Sequence, residues 1–505
     1  MHFDDHIIQV ALLGTDKQQL NLNEADDALQ PSLRKIGDNP TLDSEEIFLQ
    51  SLALAFNYKQ AGVTVPVKVE AAIEPAPAEE KQYCSPAAMR NLRDILDLES
   101  GALLRVWLQC CADADFVVLP EFIPILFDEA SVNRSLLPLV IKCCGKRGEW
   151  LIGFNKDWKF SATDNTAEIW ETGSSEQRKQ ALMQVRKADA GKALQMLEQT
   201  WTTEDAQTKT VLLGVLETNI GNEDVRFLEQ IQNEKSKKVN DLAIHLLKLI
   251  PASSIVQSYV DALRKSVQIK KEKSMLGLIS KKVLDVDVSS VDESVFATGI
   301  EKLSNIKDLD DATYIACQLI QNVPPSALKT LLGVDYEEMA NLFWQKKSFL
   351  LFALIGSAIK FRDVVCLQIA LQKDNVNFYK RAITILPKVE ANNYAEQYFA
   401  QQNGIQGANI RTEIIDTFCK AEIEISSSFG AVICEHLASD MYRFNRKFYN
   451  DYIDLFPADF PAIAEKYTPQ QSYVQSQWGN TVAYTQKLMQ LKVSTIHHLS
   501  TRKNN

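Results

Sequence analysis

The apolar residues of this chain recur three and four positions apart over most of its length, which is the spacing of one face of an α-helix. The stretch NEKSKKVNDLAIHLLKLIP (233–251) shows the pattern: a polar opening precedes an apolar stripe, and Ser236 stands at the predicted N-cap. Pro251 ends the helix because proline lacks a backbone N–H and clashes with the preceding turn. The residues predicted to be buried are Val239, Leu242, Ala243, Leu246, Leu247 and Ile250.

This helix belongs to a pattern that repeats after 34 residues. Such a period is typical of a helix–turn–helix unit, which cannot bury its apolar face alone and therefore stacks on its neighbours. We predict an all-α fold, a HEAT/armadillo-like α-solenoid of stacked helical hairpins in two lobes. A tetratricopeptide-like array is the alternative that the pattern leaves open. The residues Leu194, Leu197, Leu212, Leu213 and Leu216 recur as Leu228, Ile231, Leu246, Leu247 and Ile250.

Changes in composition predict how the chain is divided. The stretch VTVPVKVEAAIEPAPAEEKQYC (63–84) has no helical stripe and is typical of an exposed linker. The basic stretch RKSVQIKKEKSMLGLISKKVLDVDV (264–288) is a second break, and we place a hinge or boundary there. The predicted organisation is N-terminal helices over 1–60, a Pro/Ala/Glu-rich linker or loop over 61–84, a first helical-repeat lobe over 85–270, a basic junction over 271–290, a second helical lobe over 291–492, and a disordered tail over 493–505.

The amino-acid composition favours a helical fold and disfavours broad nucleic-acid binding and membrane association. The 505 residues include only 19 Gly and 16 Pro, which is few for a fold built from many turns. The net charge of −11 disfavours broad contact with nucleic-acid phosphates. The chain has neither an apolar run long enough to span a membrane nor a signal-peptide pattern at residues 1–14, so we expect a cytoplasmic protein without membrane association. The nine cysteines are predicted to be buried thiols.

Four segments and the repeat ending at Pro251 together resemble an uncharacterised bacterial family of helical-repeat proteins. Its members are commonly encoded beside a SWIM zinc-finger protein, a MoxR-type AAA ATPase and von Willebrand A-domain proteins. The resemblance implies protein partners of these kinds and no catalytic residues. The segments are ALLGTDK (11–17), LPEFIPILFD (119–128), GKRGEWLIGFNKDW (145–158) and IWETGSSEQRKQAL (169–182), and the family-motif residues within them, to which we assign structural roles, are Gly14, Thr15, Arg147, Gly148, Trp150, Asn155, Trp158, Trp170, Gly173 and Arg178.

The segment 145–158 contains two basic residues and several glycines, but not the strand–GxxxxGK[ST]–helix layout of a phosphate-binding loop. We predict instead a tight loop between helices, with its tryptophans packed into the array. Arg147 and Arg178 are predicted to brace this loop by pairing with Glu149, Glu171 or a backbone carbonyl.

The sequence shows little other chemistry. The cluster CEH (434–436) has no second pair of metal ligands nearby, and acidic stretches such as 285–294 lack the spacing of a calcium loop, so we interpret them as loop and helix-cap acids. No metal or cofactor is implied, and we predict a non-enzymatic scaffold or adaptor for protein partners. The alternative is a nucleic-acid-binding or -modifying repeat protein, with nucleic acid the less favoured partner. A candidate contact for either partner is the basic segment, although we favour the interpretation that its charges form a solvated face at a domain junction. The segment is formed by Arg264, Lys265, Lys270, Lys271, Lys273, Lys281 and Lys282.

Overall fold

The chain forms two compact units, Met1–Pro75 and Ala76–Asn505, in a computed structural model. The structure describes residues 3–62, 74–155, 158, 166–273, 280–345, 348–374, 377, 379–402 and 404–500. Most of these residues are helical, as the apolar spacing predicts. No helix among them is both long and apolar enough to cross a membrane.

The described residues of the first unit include the α-helices α1 (Phe3–Leu13), α2 (Gln30–Gly37) and α3 (Ser44–Ala61). Asp43 caps α3, since its side chain accepts a hydrogen bond from the Glu46 N–H at 2.8 Å. Ile7 and Val10 of α1 pack with Phe48 of α3 in a small core. The division between the two units falls inside the predicted linker 61–84, of which residues 63–73 lie outside the described residues.

The described residues of the second unit are mostly helical. Up to the basic segment these are α4 (Pro86–Asp97), α5 (Gly101–Asp113), α6 (Ile123–Val132), α7 (Leu137–Ile152), α8 (Thr166–Thr172), α9 (Ser175–Ala188), α10 (Ala190–Thr200), α11 (Ala206–Leu213), α12 (Val225–Gln230), α13 (Lys237–Leu247) and α14 (Ser254–Ser266). After it come α15 (Glu293–Ala297), α16 (Asp311–Gln321), α17 (Pro325–Leu332), α18 (Tyr336–Gln345), α19 (Ser348–Lys360), α20 (Val364–Lys373), α21 (Lys380–Ile383), α22 (Lys388–Gln401), α23 (Gly404–Lys420), α24 (Ser427–Ser439), α25 (Arg446–Tyr452), α26 (Phe460–Lys466) and α27 (Ser472–Leu499).

Two short sheets interrupt the helices. Strands β1 (Gln82–Tyr83) and β2 (Phe116–Val117) pair in parallel, and β3 (Val267–Lys273) pairs with β4 (Ser280–Val286) as an antiparallel hairpin. The strands cover residues 271–273 and 280–286 of the predicted basic junction 271–290, where the sequence analysis did not predict strands. Helix α14, which precedes the hairpin, packs against both α15 and α16, which follow it. The division into two lobes at this point therefore stays a prediction.

The last helix of the second unit packs against the first two. Helix α27 lies on α4 and α5, and the Asn91 amide donates a hydrogen bond to the Ser494 hydroxyl at 2.7 Å. A second contact comes from Asn450 of α25. Its side-chain amide donates to the Leu98 carbonyl at 2.6 Å, and its main-chain carbonyl accepts from the Ser100 hydroxyl at 2.9 Å. Since α27 extends to Leu499, the predicted tail 493–505 is helical over 493–499; residues 501–505 lie outside the described residues.

The predicted loop at 145–158 is wrong in its first half, because helix α7 continues through Ile152. The helix bends at Gly145, whose backbone has φ +58° and ψ −160°. A Cβ at this position would lie 2.2 Å from the Glu79 carboxylate, which accepts a hydrogen bond from the Lys146 N–H at 2.9 Å. Glycine is therefore required both by the left-handed backbone and by the close approach of Glu79.

Candidate functional site

The predicted basic segment does not form one uncompensated positive surface. Lys270 pairs with Asp285 across the hairpin at 2.6 Å, Lys282 pairs with Glu338 of α18, and Arg264 pairs with a neighbouring aspartate. Lys265 and Lys271 are exposed, whereas the side chains of Lys273 and Lys281 lie outside the described residues. The hairpin buries Val267 and Leu284 at its base, which explains why alternate residues of this segment are apolar.

The family-motif residues near Trp170 join neighbouring helices. The Arg178 guanidinium stacks 4.5 Å over the Trp170 ring and forms two hydrogen bonds with Glu204, at 3.1 and 2.5 Å. Glu204 is thus the partner of Arg178, in place of the predicted Glu149, Glu171 or carbonyl. Gly173 leaves no room for a side chain, because a Cβ there would lie 2.4 Å from the Ile169 carbonyl oxygen.

The motif residues of α7 also serve packing. Trp158 is buried against Phe127, and its indole N–H donates to the Asp128 carboxylate at 2.9 Å. Gly148 lies where a Cβ would be 2.4 Å from the Cys144 Cβ. Three further motif residues, Arg147, Trp150 and Asn155, are half-buried, and Gly14 and Thr15 form the turn after α1, with Gly14 at φ +86°.

The remaining sequence candidates have ordinary structural surroundings. His436 is buried between the Phe399 and Phe444 rings and hydrogen-bonds the Thr412 hydroxyl at 2.9 Å, while burial lowers its pKa. No group of three or more His, Cys, Asp or Glu within the described ranges is arranged to hold a metal ion. The nine cysteines are free thiols, and Cys84 and Cys111 place their sulfur atoms 3.5 Å apart. The acid Asp310 caps α16, as predicted for the acidic stretches.

Another group of side chains contains two lysines that form no ion pair with a carboxylate among the described residues. Three turns, at 248–251 after α13, 322–325 after α16 and 360–363 after α19, lie side by side, and we name them the three-turn cluster. The Lys360 ammonium donates to the Asn322 side-chain oxygen at 2.6 Å, and the Ser357 hydroxyl donates to the Val323 carbonyl at 2.6 Å. A cavity of about 410 Å³ is lined by residues of these turns and of α14 and α17, among them Pro251, Pro324 and Phe361, and neither lysine lines it.

The two lysines of the three-turn cluster are electrostatically coupled. Burial lowers the pKa of Lys248, and burial together with the nearby Lys248 charge lowers the pKa of Lys360 to about 8. Neither ammonium group forms an ion pair with a carboxylate within the part of the chain that the structure describes. Asp363 lies in the third turn, but its carboxylate accepts from the Tyr336 hydroxyl at 2.6 Å and caps α20 through the Cys366 N–H at 3.0 Å.

The sequence analysis missed this cluster because its two lysines are more than 100 residues apart in the chain. A weak signal is present: each lysine follows an apolar run near a helix end, in HLLKLIP and GSAIKF. Such a context favours a lysine whose stem is buried beside the core.

The model of a family of unknown function, DUF5691, matches residues 6–499 of the chain. No curated protein and no solved structure matches it.

Proposed function

We propose that this chain, which belongs to the DUF5691 family, is a non-enzymatic helical-repeat scaffold that binds protein partners. The proposal covers the HEAT/armadillo-like arrangement of the second unit as well as its use. It is supported by one recurrent feature of the hydrogen bonds.

Side-chain hydrogen bonds in the second unit repeatedly join residues about 34 positions apart. The spacing equals the period of the leucine pattern, although the bonds involve polar residues that did not enter that pattern. Bonds of this kind join neighbouring helical elements at a nearly constant spacing, as expected if equivalent units stack on one another. They are Ser175–Thr208 at 3.0 Å, Trp201–Glu234 at 2.9 Å, Val323–Ser357 at 2.6 Å, Asn392–Ser426 at 2.8 Å and Asn450–Tyr484 at 2.6 Å.

An array of stacked hairpins suits the binding of proteins or peptides because it presents an extended surface that changes little in backbone conformation. These hydrogen bonds favour a single stacked arrangement, since each bond would fix the register of two neighbouring hairpins. By the family resemblance, the partners proposed are a MoxR-type AAA ATPase and von Willebrand A-domain proteins. This identification rests on analogy between families, whereas the repeat rests on the bonds.

The test is affinity purification of the tagged full chain from its host, with nuclease treatment, followed by mass spectrometry. We expect enrichment of an AAA ATPase or a von Willebrand A-domain protein over a tag-only control. Enrichment of neither would refute these partners.

A charge-reversed variant separates the adaptor from a nucleic-acid-binding protein. Lys265 and Lys271 are exposed, so Lys265→Glu with Lys271→Glu is expected to leave the fold intact. The adaptor proposal predicts that the variant retains the same partners with and without nuclease. Loss of all partners in both the variant and the nuclease-treated sample would overturn it and identify the hairpin as a nucleic-acid contact.

A further inference from the structure

We infer that Cys84 and Cys111 form a reversible disulfide when the chain is oxidised by a hydroperoxide, and that this bond fastens strand β1 to helix α5. The inference concerns a modification site within the second unit and stands independently of the proposed scaffold function. It rests on the distance between the two sulfur atoms, on the strand that holds both residues and on the unequal exposure of their surroundings.

The two sulfur atoms are in contact although the residues are 27 positions apart in the chain. The Cys84 and Cys111 sulfurs lie 3.5 Å from each other. A disulfide brings two sulfurs to about 2.05 Å, so the remaining gap of roughly 1.5 Å can be closed by small rotations of the two side chains.

Strand β2 holds both cysteines in this arrangement. The Cys111 thiol donates to the Phe116 carbonyl at 3.3 Å. The Cys84 N–H donates to the Val117 carbonyl at 2.8 Å. Because consecutive residues of one strand bind the two cysteines, their sulfurs are kept within reach of each other.

The two thiols differ in how easily an oxidant reaches them. Cys111 is fully buried in α5, and hydrogen bonding with the Cys143 and Cys84 thiols, followed by burial, raises the pKa of its thiol. Cys84 is 5% exposed, and both Tyr83 and Ser85 beside it are exposed. Strand β1 is only two residues long, so local opening uncovers Cys84 first. Cys84 is therefore the thiol that reacts with the oxidant.

A hydroperoxide supplies the oxidation by accepting two electrons. The Cys84 thiolate attacks one peroxide oxygen of hydrogen peroxide, the O–O bond breaks, and a sulfenic acid forms on Cys84. The hydroxide that leaves takes the proton lost by the Cys84 thiol and becomes water. The Cys111 sulfur then attacks the Cys84 sulfur, and the sulfenic oxygen leaves as water with the Cys111 proton. Two thiols and one hydrogen peroxide thus give one disulfide and two waters.

The bond changes how firmly the start of the second unit is held. Strand β1 lies shortly after the division between the units at Pro75, and it pairs with β2 over two residues. Beside it Lys81 pairs with Asp115 at 2.8 Å, and surface pairs of this kind add little stability. A covalent link to α5 keeps β1 in place when these contacts open.

The experiment is peptide mapping of the full chain after reduction, removal of the reductant and treatment with hydrogen peroxide at neutral pH. Free thiols are alkylated in denaturant, and the chain is digested without reductant. We expect a linked pair of peptides containing Cys84 and Cys111, with two fewer alkylated thiols than the nine of the reduced chain. A reductant should restore all nine. The inference is overturned if the folded chain forms no such link under conditions that oxidise free glutathione completely, or if Cys111 links to Cys143 instead.

Two variants test the order of the reaction. Cys84→Ser should leave Cys111 reduced, and oxidation of Cys111 at an unchanged rate in this variant would contradict the role of Cys84. Cys434→Ser is the matched control, since Cys434 is also buried and its thiol donates to the Gly430 carbonyl of its own helix, a bond that serine keeps. It should form the link like the unchanged chain. Circular dichroism shows whether each variant is folded.

Hydrogen–deuterium exchange measures the fastening of β1. Exchange of the Cys84 N–H should slow severalfold on oxidation of the unchanged chain, because opening of β1 is then restricted. In Cys84→Ser the same treatment should leave the exchange rate at position 84 unchanged. Equal exchange in the reduced and the disulfide-linked chain would overturn the fastening.

Discussion

The buried ion pair between Arg186 and Asp224 allows a sharp test of what holds the repeats together. Both side chains are fully buried, and a guanidinium nitrogen lies 2.5 Å from an Asp224 oxygen. The same guanidinium donates to four backbone carbonyls, those of Thr218 and Ala190 at 2.8 Å, Asn219 at 3.2 Å and Leu216 at 3.3 Å. One side chain of α9 thus donates hydrogen bonds to the backbone carbonyls of the turn that follows α11. Its removal by Arg186→Met should destabilise the second unit strongly.

The expected magnitude follows from the groups left behind. Removing one member of a buried ion pair costs about 3–5 kcal/mol, because the other charge stays buried without a partner. Each carbonyl that water does not reach adds about 1 kcal/mol. Asp224→Asn should cost less than Arg186→Met, because four carbonyls would still surround the guanidinium and the new amide oxygen can accept from it.

Urea unfolding followed by far-ultraviolet circular dichroism measures these differences. Arg264→Met is the control, since Arg264 pairs with Asp261 at the surface with both side chains more than 60% exposed, at 64% and 62%. Such pairs contribute about 1 kcal/mol or less. The reasoning would be refuted if Arg186→Met changed the free energy of unfolding no more than Arg264→Met, or if Asp224→Asn cost more than Arg186→Met.

Three further predictions use the same unfolding measurement. The pKa of Lys360 is lowered to about 8 in the folded chain and is about 10.4 in the unfolded chain. Between these pH values the unfolded state binds more protons, so the free energy of unfolding should rise with pH. Lys360→Met should remove that rise between about pH 8 and 10, and an unchanged rise would contradict the lowered pKa. Gly148→Ala should cost about 1–3 kcal/mol because its Cβ would lie 2.4 Å from a side chain of the preceding turn; Gly214→Ala, with no atom within 4 Å, is the control and should cost clearly less. Trp158→Phe should keep the aromatic packing but lose the bond to Asp128, at about 1 kcal/mol; no measurable change would show that the bond contributes nothing.

Local features of the fold could be predicted from the sequence, since their causes lie within a few residues. The S-x-x-Q spacing at 174–177 predicts a capping box, and the structure confirms it. The Gln177 N–H donates to the Ser174 hydroxyl at 3.4 Å, and the Ser174 N–H donates to the Gln177 side chain at 2.9 Å. The stripe of α13 is also confirmed, with Val239 and Leu246 fully buried and Leu242 half-buried.

Features that depend on distant residues could not be predicted. The hairpin β3–β4 was missed because lysines occupy much of it, and among its residues whose side chains the structure describes only Val267 and Leu284 are buried. The predicted partners of Arg178 were wrong because helix packing, and not proximity in the chain, brings Glu204 near it. The lysine pair of the three-turn cluster depends on the same long-range packing.

The contact between α27 and the helices α4 and α5 has a consequence for synthesis of the chain. The hydrogen bond from Asn91 of α4 to Ser494 of α27 joins residues 403 positions apart, so it forms only when nearly all of the second unit has left the ribosome. At about 5–20 residues per second, roughly 20 to 80 seconds separate the emergence of α5 from that of α27. During this interval the faces of α4 and α5 that α27 later covers are open to water. A nascent chain of this protein therefore presents a temporary apolar surface at its N-terminal side, where chaperones bind and where premature association begins.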